Sequence, residues 1–134
     1  MTKSKLQKSE LVVSKVLEHL LSLGLQQGTR LSFDDLNLPE DYEAIFNGCC
    51  LWLIDEGIVR CSNKSQSMGG DLTLFSPAIT AKGFALLDQS FVVSGNKMLV
   101  GQAVKEVAGG QVSYSGIGDF FGGLLGGLTK SMSS

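Results

Sequence analysis

Residues 40–88 hold, in one unbroken order, a helical segment, a two-stranded ribbon and a second helical segment. The helix that opens this stretch, the third of the chain, is predicted over EDYEAIFNGCCLWLIDEG. Its apolar residues recur at helical spacing, and a glycine ends the helix. The ribbon is predicted over IVRCSNK and DLTLFSPAIT, on either side of a polar tip, and the closing helix begins at AKGFALLDQ. This order of elements predicts a winged helix, in which a β-hairpin wing lies between two helices.

The residues before this stretch predict the other elements of such a domain. Apolar residues three and four positions apart predict a first helix over Ser9–Leu25, with its first residue as N-cap and Gly24 at its end. A short first strand is predicted at Arg30–Ser32, and Ser32 is expected to cap a brief second helix over Phe33–Leu36. The fold class is therefore α+β: three helices, a β-hairpin wing and a return helix.

The C-terminal part of the chain has a different composition. A helix is predicted over Lys97–Ala108, and beyond it lies GIGDFFGGLLGGLTKSMSS, where glycines recur every four residues. The apolar face of the Lys97–Ala108 helix is expected to carry Met98, Leu99, Ala103 and Val107. If the last segment is helical, its glycines form a smooth groove for a second helix, although each costs about 1 kcal/mol relative to alanine. We assign residues 1–92 to the winged-helix domain and residues 93–134 to a helical glycine-rich tail.

Composition limits the class of protein. The chain has 134 residues, a formal net charge of −2 and 43% hydrophobic residues, which suits one domain with an appendage. No uncharged apolar stretch reaches the roughly 18 residues of a spanning helix. Lys15 and Glu18 interrupt the apolar residues that a signal peptide would need, so we expect a cytoplasmic protein.

Catalytic and metal-binding patterns are weak. Cys49 and Cys50 point about 100° apart on a helix, and with Cys61 they are expected to be reduced thiols that pack as small hydrophobic groups. The paired ligand spacing of structural zinc is absent from the sequence, and its one histidine, His19, lies in the first predicted helix. We therefore expect no enzymatic activity, no metal and no cofactor.

Nucleic-acid binding by a winged helix commonly requires lysine or arginine on the third helix and on the wing. That helix instead carries the carboxylates of Glu40, Asp41, Glu43, Asp55 and Glu56. The candidate phosphate contacts are Lys3, Lys5 and Lys8 in the N-terminal arm before the first helix, and Arg60 and Lys64 in the wing. Binding of duplex DNA through the third helix is disfavoured, whereas contact through the arm and the wing stays open.

The segments LPEDYEAIFNGCCLWLIDEGIVR and LFSPAITAKGFALLDQS, with a polar wing between them, resemble small winged-helix proteins of bacteria and phages, typified by the YjcQ-like family. In such proteins a strand ending in Ile-Thr leads into a helix bearing Lys-Gly. The resemblance covers residues 11–90 and implies the winged-helix fold, with no catalytic motif to transfer. This chain departs from it in a wing rich in small polar residues and in its glycine-rich tail.

Three functional hypotheses follow. The first is a protein-interaction module that forms a homo-oligomer, or docks a larger protein, through its C-terminal glycine-rich helix. The interface is then expected at Gly118, Phe120, Phe121, Gly122, Leu124, Leu125 and Gly126. The second is a DNA-binding transcriptional regulator that uses the wing and the N-terminal lysines, and the third is an effector bound at a membrane surface.

Overall fold

The computed structural model describes residues 4–93 and 95–110. This part of the chain is mixed α+β, with four α-helices and small antiparallel sheets. The helices are α1 (Lys5–Leu23), α2 (Glu43–Asp55), α3 (Ala81–Leu87) and α4 (Val100–Ala108). The strands are β1 (Arg30–Ser32), β2 (Val59–Arg60), β3 (Asn63–Gln66), β4 (Leu72–Phe75), β5 (Ala78–Ile79), β6 (Ser90–Val93) and β7 (Asn96–Leu99).

Helix α1 begins one turn earlier than predicted. Ser4 is the N-cap: its hydroxyl accepts from the Gln7 N–H at 3.2 Å, and Gln7 Oε1 accepts from the Ser4 N–H at 2.9 Å. The prediction of Ser9 as N-cap is wrong, because its hydroxyl donates to the Lys5 carbonyl inside the helix. Hydrophobic periodicity begins only at residue 11, whereas this reciprocal capping pair lies upstream of it. The predicted end is confirmed at Gly24, which has φ +68°.

The first strand and the short helix after it lie where the sequence predicts them. β1 spans Arg30–Ser32, and a 3₁₀ turn follows at Phe33–Leu36. The Asp35 carboxylate accepts from the Ser32 N–H at 2.8 Å, so the acid three residues on satisfies the backbone donor that precedes the turn. A second 3₁₀ turn, Glu40–Tyr42, leads into α2, and the predicted third helix therefore becomes α-helical only from its second turn.

The hydrophobic core lies where α1 packs against both α2 and α4. Phe46 of α2 is fully buried and contacts Phe33 edge to face, with ring centroids 5.7 Å apart and an interplanar angle of 61°. Burial of such a ring stabilises the fold by about 1.5–3 kcal/mol. Helix α1 contributes Val12, Val13, Val16, Leu17 and Leu20 to this core.

The predicted ribbon is divided into two pairs of strands that keep one register. Val59 lies opposite Ile79 in the β2–β5 pair, and Asn63 lies opposite Phe75 in the β3–β4 pair. Strand β1 pairs with the other edge of β4, which gives the order β1-β4-β3. Pro77 lies in the gap between the two pairs, where its missing N–H removes no ladder hydrogen bond.

The buried face of the ribbon changes sides within this gap. Leu74 and Ile79 are both buried although they lie five residues apart, so they would face opposite sides of a regular strand. Between them, Ser76 has a left-handed φ of +50°. Its N–H donates to the Thr29 carbonyl at 2.7 Å, and its hydroxyl accepts from the Gly28 N–H at 3.0 Å. These two bonds to the turn after α1 hold the ribbon in its rotated conformation.

The structure corrects the prediction of a helix over Lys97–Ala108. Residues 96–99 form β7, which pairs with β6, and helix α4 begins only at Val100. Gly95, with φ +82°, provides the turn between these strands. Met98 and Leu99 were wrongly placed on a helical face because a short apolar run fits both periodicities. In the strand, Leu99 is exposed.

Helix α4 belongs to the same core as the helices before it. Its apolar face packs on α1, and it also contacts α3. The buried residues of this face are Val100, Ala103, Val104, Val107 and Ala108. The core therefore extends past residue 92, where the sequence suggested a boundary.

The predicted glycine-rich helix, with the candidate interface residues Gly118 to Gly126, lies outside the described residues, as does Lys3. No helix among the residues that are described combines the length and the apolar character needed to cross a lipid bilayer. The described chain ends just after α4, at Gly110.

Two helical glycines allow a matched test of this packing. A Cβ at Gly83 would lie 2.5 Å from the Ile58 carbonyl oxygen and 2.7 Å from Ile79 Cγ2, whereas a Cβ at Gly48 meets nothing within 4 Å. Gly83→Ala is expected to destabilise the fold by about 1–3 kcal/mol, because the overlap with backbone exceeds the gain in helix propensity. Gly48→Ala is expected to stabilise it by up to about 1 kcal/mol. Urea denaturation measures both; equal stability of the two variants would contradict the close packing of α3.

Candidate functional site

A groove opens between the turn after α1, the base of the ribbon and the start of α3. Its volume is about 750 Å³. Its lining includes Leu25, Gln26, Arg60, Ser62, Ser76 and Phe84. Arg60 is the one charged side chain in the lining, and no carboxylate lines it, on a chain with 13 aspartates and glutamates.

The turn after α1 forms one wall of the groove. Gly24 and Gly28 both have positive φ, at +68° and +86°, which lets the chain leave the helix and reverse within a few residues. The bond from the Gly28 N–H to the Ser76 hydroxyl ties this turn to the ribbon. Leu25 lies between the two glycines and remains 72% exposed.

Helix α3 forms the opposite wall, and its first turn is held firmly. The Thr80 hydroxyl accepts from the Gly83 N–H at 2.9 Å and donates to the Gly57 carbonyl at 2.6 Å. This N-cap joins α3 to the turn that follows α2. Phe84 follows one turn after the cap and is 42% exposed, whereas Leu86 faces the core.

Leu25 and Phe84 were not among the site residues predicted from the sequence. Full burial of either side chain against a partner would contribute about 1.5–3 kcal/mol relative to leaving it exposed. A signal for Leu25 was present, because a leucine between two turn glycines falls outside the helical period of α1. A signal for Phe84 was weaker, since the face of a seven-residue helix is poorly defined by its spacing.

The candidate nucleic-acid contacts lie on different elements. Lys8 Nζ lies 2.9 Å from Asp41 Oδ2 and 5.1 Å from the centroid of the Tyr42 ring, at the start of the α2 region. The hydrogen bond with Asp41 raises the pKa of Lys8, and the same bond lowers the pKa of Asp41. Arg60 lines the groove, and Lys64 is exposed in β3. Lys5 is exposed in the first turn of α1.

The tip of the ribbon is held against α2. The Asn47 side-chain amide donates to the Gly70 carbonyl at 2.6 Å. A hydrogen bond with the neighbouring Asp71 carboxylate raises the pKa of Glu43, with burial and nearby negative charges adding to the effect. Asp34 and Glu40 are among those charges. The start of α2 and the tip of the ribbon therefore carry negative charge, which opposes the binding of phosphates there.

Two of the three cysteines lie in surroundings that oppose the thiolate. Cys49 and Cys50 are both free thiols buried in the core. Burial raises the pKa of Cys49 to about 11, and it also raises the pKa of Cys50. A nucleophilic or metal-binding cysteine needs the thiolate, which these surroundings oppose. Among residues 4–93 and 95–110, no group of three His, Cys, Asp or Glu side chains is placed to hold a metal ion.

The Glu43–Asp71 pair predicts a dependence of stability on pH. The raised pKa means that the folded chain binds the Glu43 proton more tightly than the unfolded chain does. Protonation of Glu43 therefore stabilises the fold at low pH, and this stabilisation is lost as pH rises through the folded pKa. The melting temperature is expected to rise as pH falls from neutral toward 4.5, the ordinary glutamate value. Asp71→Asn should raise the melting temperature at neutral pH and flatten this slope. Asp88→Asn, at an exposed aspartate of another element, is the control; identical slopes in both variants would contradict the pairing.

Comparison with known proteins gives no match to this chain, whether with family models, with curated proteins or with solved structures. No activity is therefore carried over from a relative.

Proposed function

We propose that this chain is a non-enzymatic protein-association module built on a winged helix of the YjcQ-like kind. The element order supports this fold, since α1 is followed by β1, a short helix, α2 and a β-hairpin. The sheet order β1-β4-β3, with all strands antiparallel, also supports it, because the first strand joins the hairpin at the edge expected for a wing.

The observation that carries the functional proposal is the groove. Leu25 and Phe84 expose large apolar side chains into one concavity, and Arg60 provides a single positive charge there. Exposed apolar surface that is clustered and rimmed by polar groups is typical of protein interaction sites. Glutamine and serine side chains in the lining offer hydrogen bonds that can fix the orientation of a partner.

Self-association is the form of interaction that the sequence favours. The segment beyond α4 has large apolar residues among glycines, a composition that needs a partner surface to be stable as a helix. The residues proposed for that contact are Gly118, Phe120, Phe121, Gly122, Leu124, Leu125 and Gly126. The module would thus combine a groove on the folded domain with an apolar segment that follows it.

A regulator that binds DNA has less support. Lys8 is neutralised by Asp41, and the start of α2 together with the ribbon tip presents Glu40, Glu43 and Asp71. Neutralising phosphates with Arg60 and Lys64 would bring these carboxylates toward the same polyanion.

Association is tested by the mass of the full chain in solution. Light scattering is expected to give a multiple of the 14.2 kDa chain mass. Gly122→Ile combined with Gly126→Ile should reduce the mass to that of one chain, because two β-branched side chains would block close approach. Gly48→Ile, at an open position on α2, is the matched control. A full chain with the mass of one protomer, or a double variant with unchanged mass, would contradict the proposal.

DNA binding is tested separately. We expect no salt-dependent mobility shift of labelled duplex DNA with the full chain, because of the negative charge around α2. A shift that Arg60→Glu and Lys64→Glu together weaken would instead favour the regulator.

A further inference from the structure

We infer that the groove of one copy receives residues 117–125 of a second copy, with Asp119 against Arg60 and the aromatic pair Phe120–Phe121 over Leu25 and Phe84. This inference rests on the proposed self-association and names the surface that accepts the segment. The groove of one copy and residues 117–125 of the other then form the two sides of one contact.

Arg60 and Asp119 carry complementary charges. Among residues 4–93 and 95–110, no carboxylate forms an ion pair with Arg60. Between Glu106 and Lys130, Asp119 is the one charged residue in the sequence. An arginine in a groove without carboxylates therefore meets a segment with a single carboxylate. Such a pair fixes the register of a contact because every other register leaves a charge desolvated without a partner.

The groove and the segment 117–125 both contain large apolar side chains. Leu25 and Phe84 are 72% and 42% exposed on the walls of the groove. Phe120 and Phe121 follow Asp119 directly in the sequence. Aromatic side chains beside a charged anchor are the residues that most often dominate the free energy of binding at protein interfaces. The glycines on both sides of the aromatic pair add no bulk that the walls of the groove would have to accommodate.

The sequence between Gly110 and Asp119 is long enough to reach a second copy. Asp119 is the ninth residue after Gly110, where the described chain ends. Nine residues span at most about 30 Å when extended. A domain of about 100 residues has a radius of gyration of about 13 Å, so this length is sufficient to cross to a neighbouring copy. If each copy gives its segment to the other, the contact closes as a two-fold dimer.

A charge exchange between copies tests the inference. In the full chain, Arg60→Glu and Asp119→Arg each place like charges in the contact, and each is expected to raise the dissociation constant of self-association about tenfold. An equimolar mixture of these two variants pairs opposite charges at both contacts of a dimer. The mixture is therefore expected to return to within about threefold of the wild-type constant. Lys64→Glu, an exposed charge reversal outside the groove, should leave the constant unchanged.

The apolar half of the contact is tested with a second pair of variants. Leu25→Ser is expected to weaken association about tenfold, since it removes an apolar wall of the groove. Met68→Ser, at a fully exposed position on the ribbon tip, should have no effect. Circular dichroism and thermal unfolding show that each variant is folded before its constant is compared.

The outcomes separate the inference from the proposed function. A wild-type chain that has the mass of one protomer overturns both. A wild-type oligomer whose constant is insensitive to Arg60→Glu, or whose two variants are not rescued by mixing, overturns the inference and leaves self-association in place. Rescue in the mixture, which docking of each segment into its own chain cannot produce, supports contact between two copies.

Discussion

The rotation of the ribbon at Ser76 is the constraint on which both the core and the groove depend. Before it, Leu72 and Leu74 are buried beneath the three-stranded sheet, and after it Ile79 is buried beside α1 and α3. A regular strand could not bury both sets, because its side chains alternate between two faces. The left-handed conformation of Ser76 costs about 1–2 kcal/mol, and its two hydrogen bonds to the turn after α1 contribute about 1 kcal/mol each.

The same rotation creates the site. It carries the exposed side of the ribbon, with Arg60, Ser62 and Ser76, to the space between the α1 turn and α3. The turn that supplies Leu25 is the partner of Ser76 in the stabilising hydrogen bonds, so the geometry of the groove and the stability of the ribbon are linked. The start of α2 and the tip of the ribbon have the other sign of charge, with Glu40, Glu43 and Asp71.

Much of the fold could be predicted from local signals in the sequence. The helical period identified α1, the glycine at residue 57 ended α2 at the strand, and the Ile-Thr junction marked the start of α3. Two predictions were wrong for different reasons. The start of α1 lies at Lys5 because its capping pair is upstream of the apolar period. The short apolar run at Met98 fits a helix and a strand equally well, and it forms a strand. The groove could not be predicted, because Leu25 and Phe84 both line it only through the long-range contact of Ser76 with the α1 turn. The way the β3–β4 and β2–β5 pairs are rotated relative to each other depends on this long-range contact, so a short stretch of sequence does not determine it.

Electrostatics and apolar burial would have different roles in an association of this kind. Each copy has a formal net charge of −2, so two copies repel weakly at long range, and salt at physiological strength screens charges beyond about 8 Å. A contact through the carboxylate-free groove places Arg60 and Asp119 at the interface. The acidic start of α2 does not line this groove. An exposed ion pair contributes only about 0–1 kcal/mol, whereas covering Leu25 and Phe84 can contribute several times as much. The apolar side chains would therefore provide most of the affinity, and Arg60 would select the orientation of the partner.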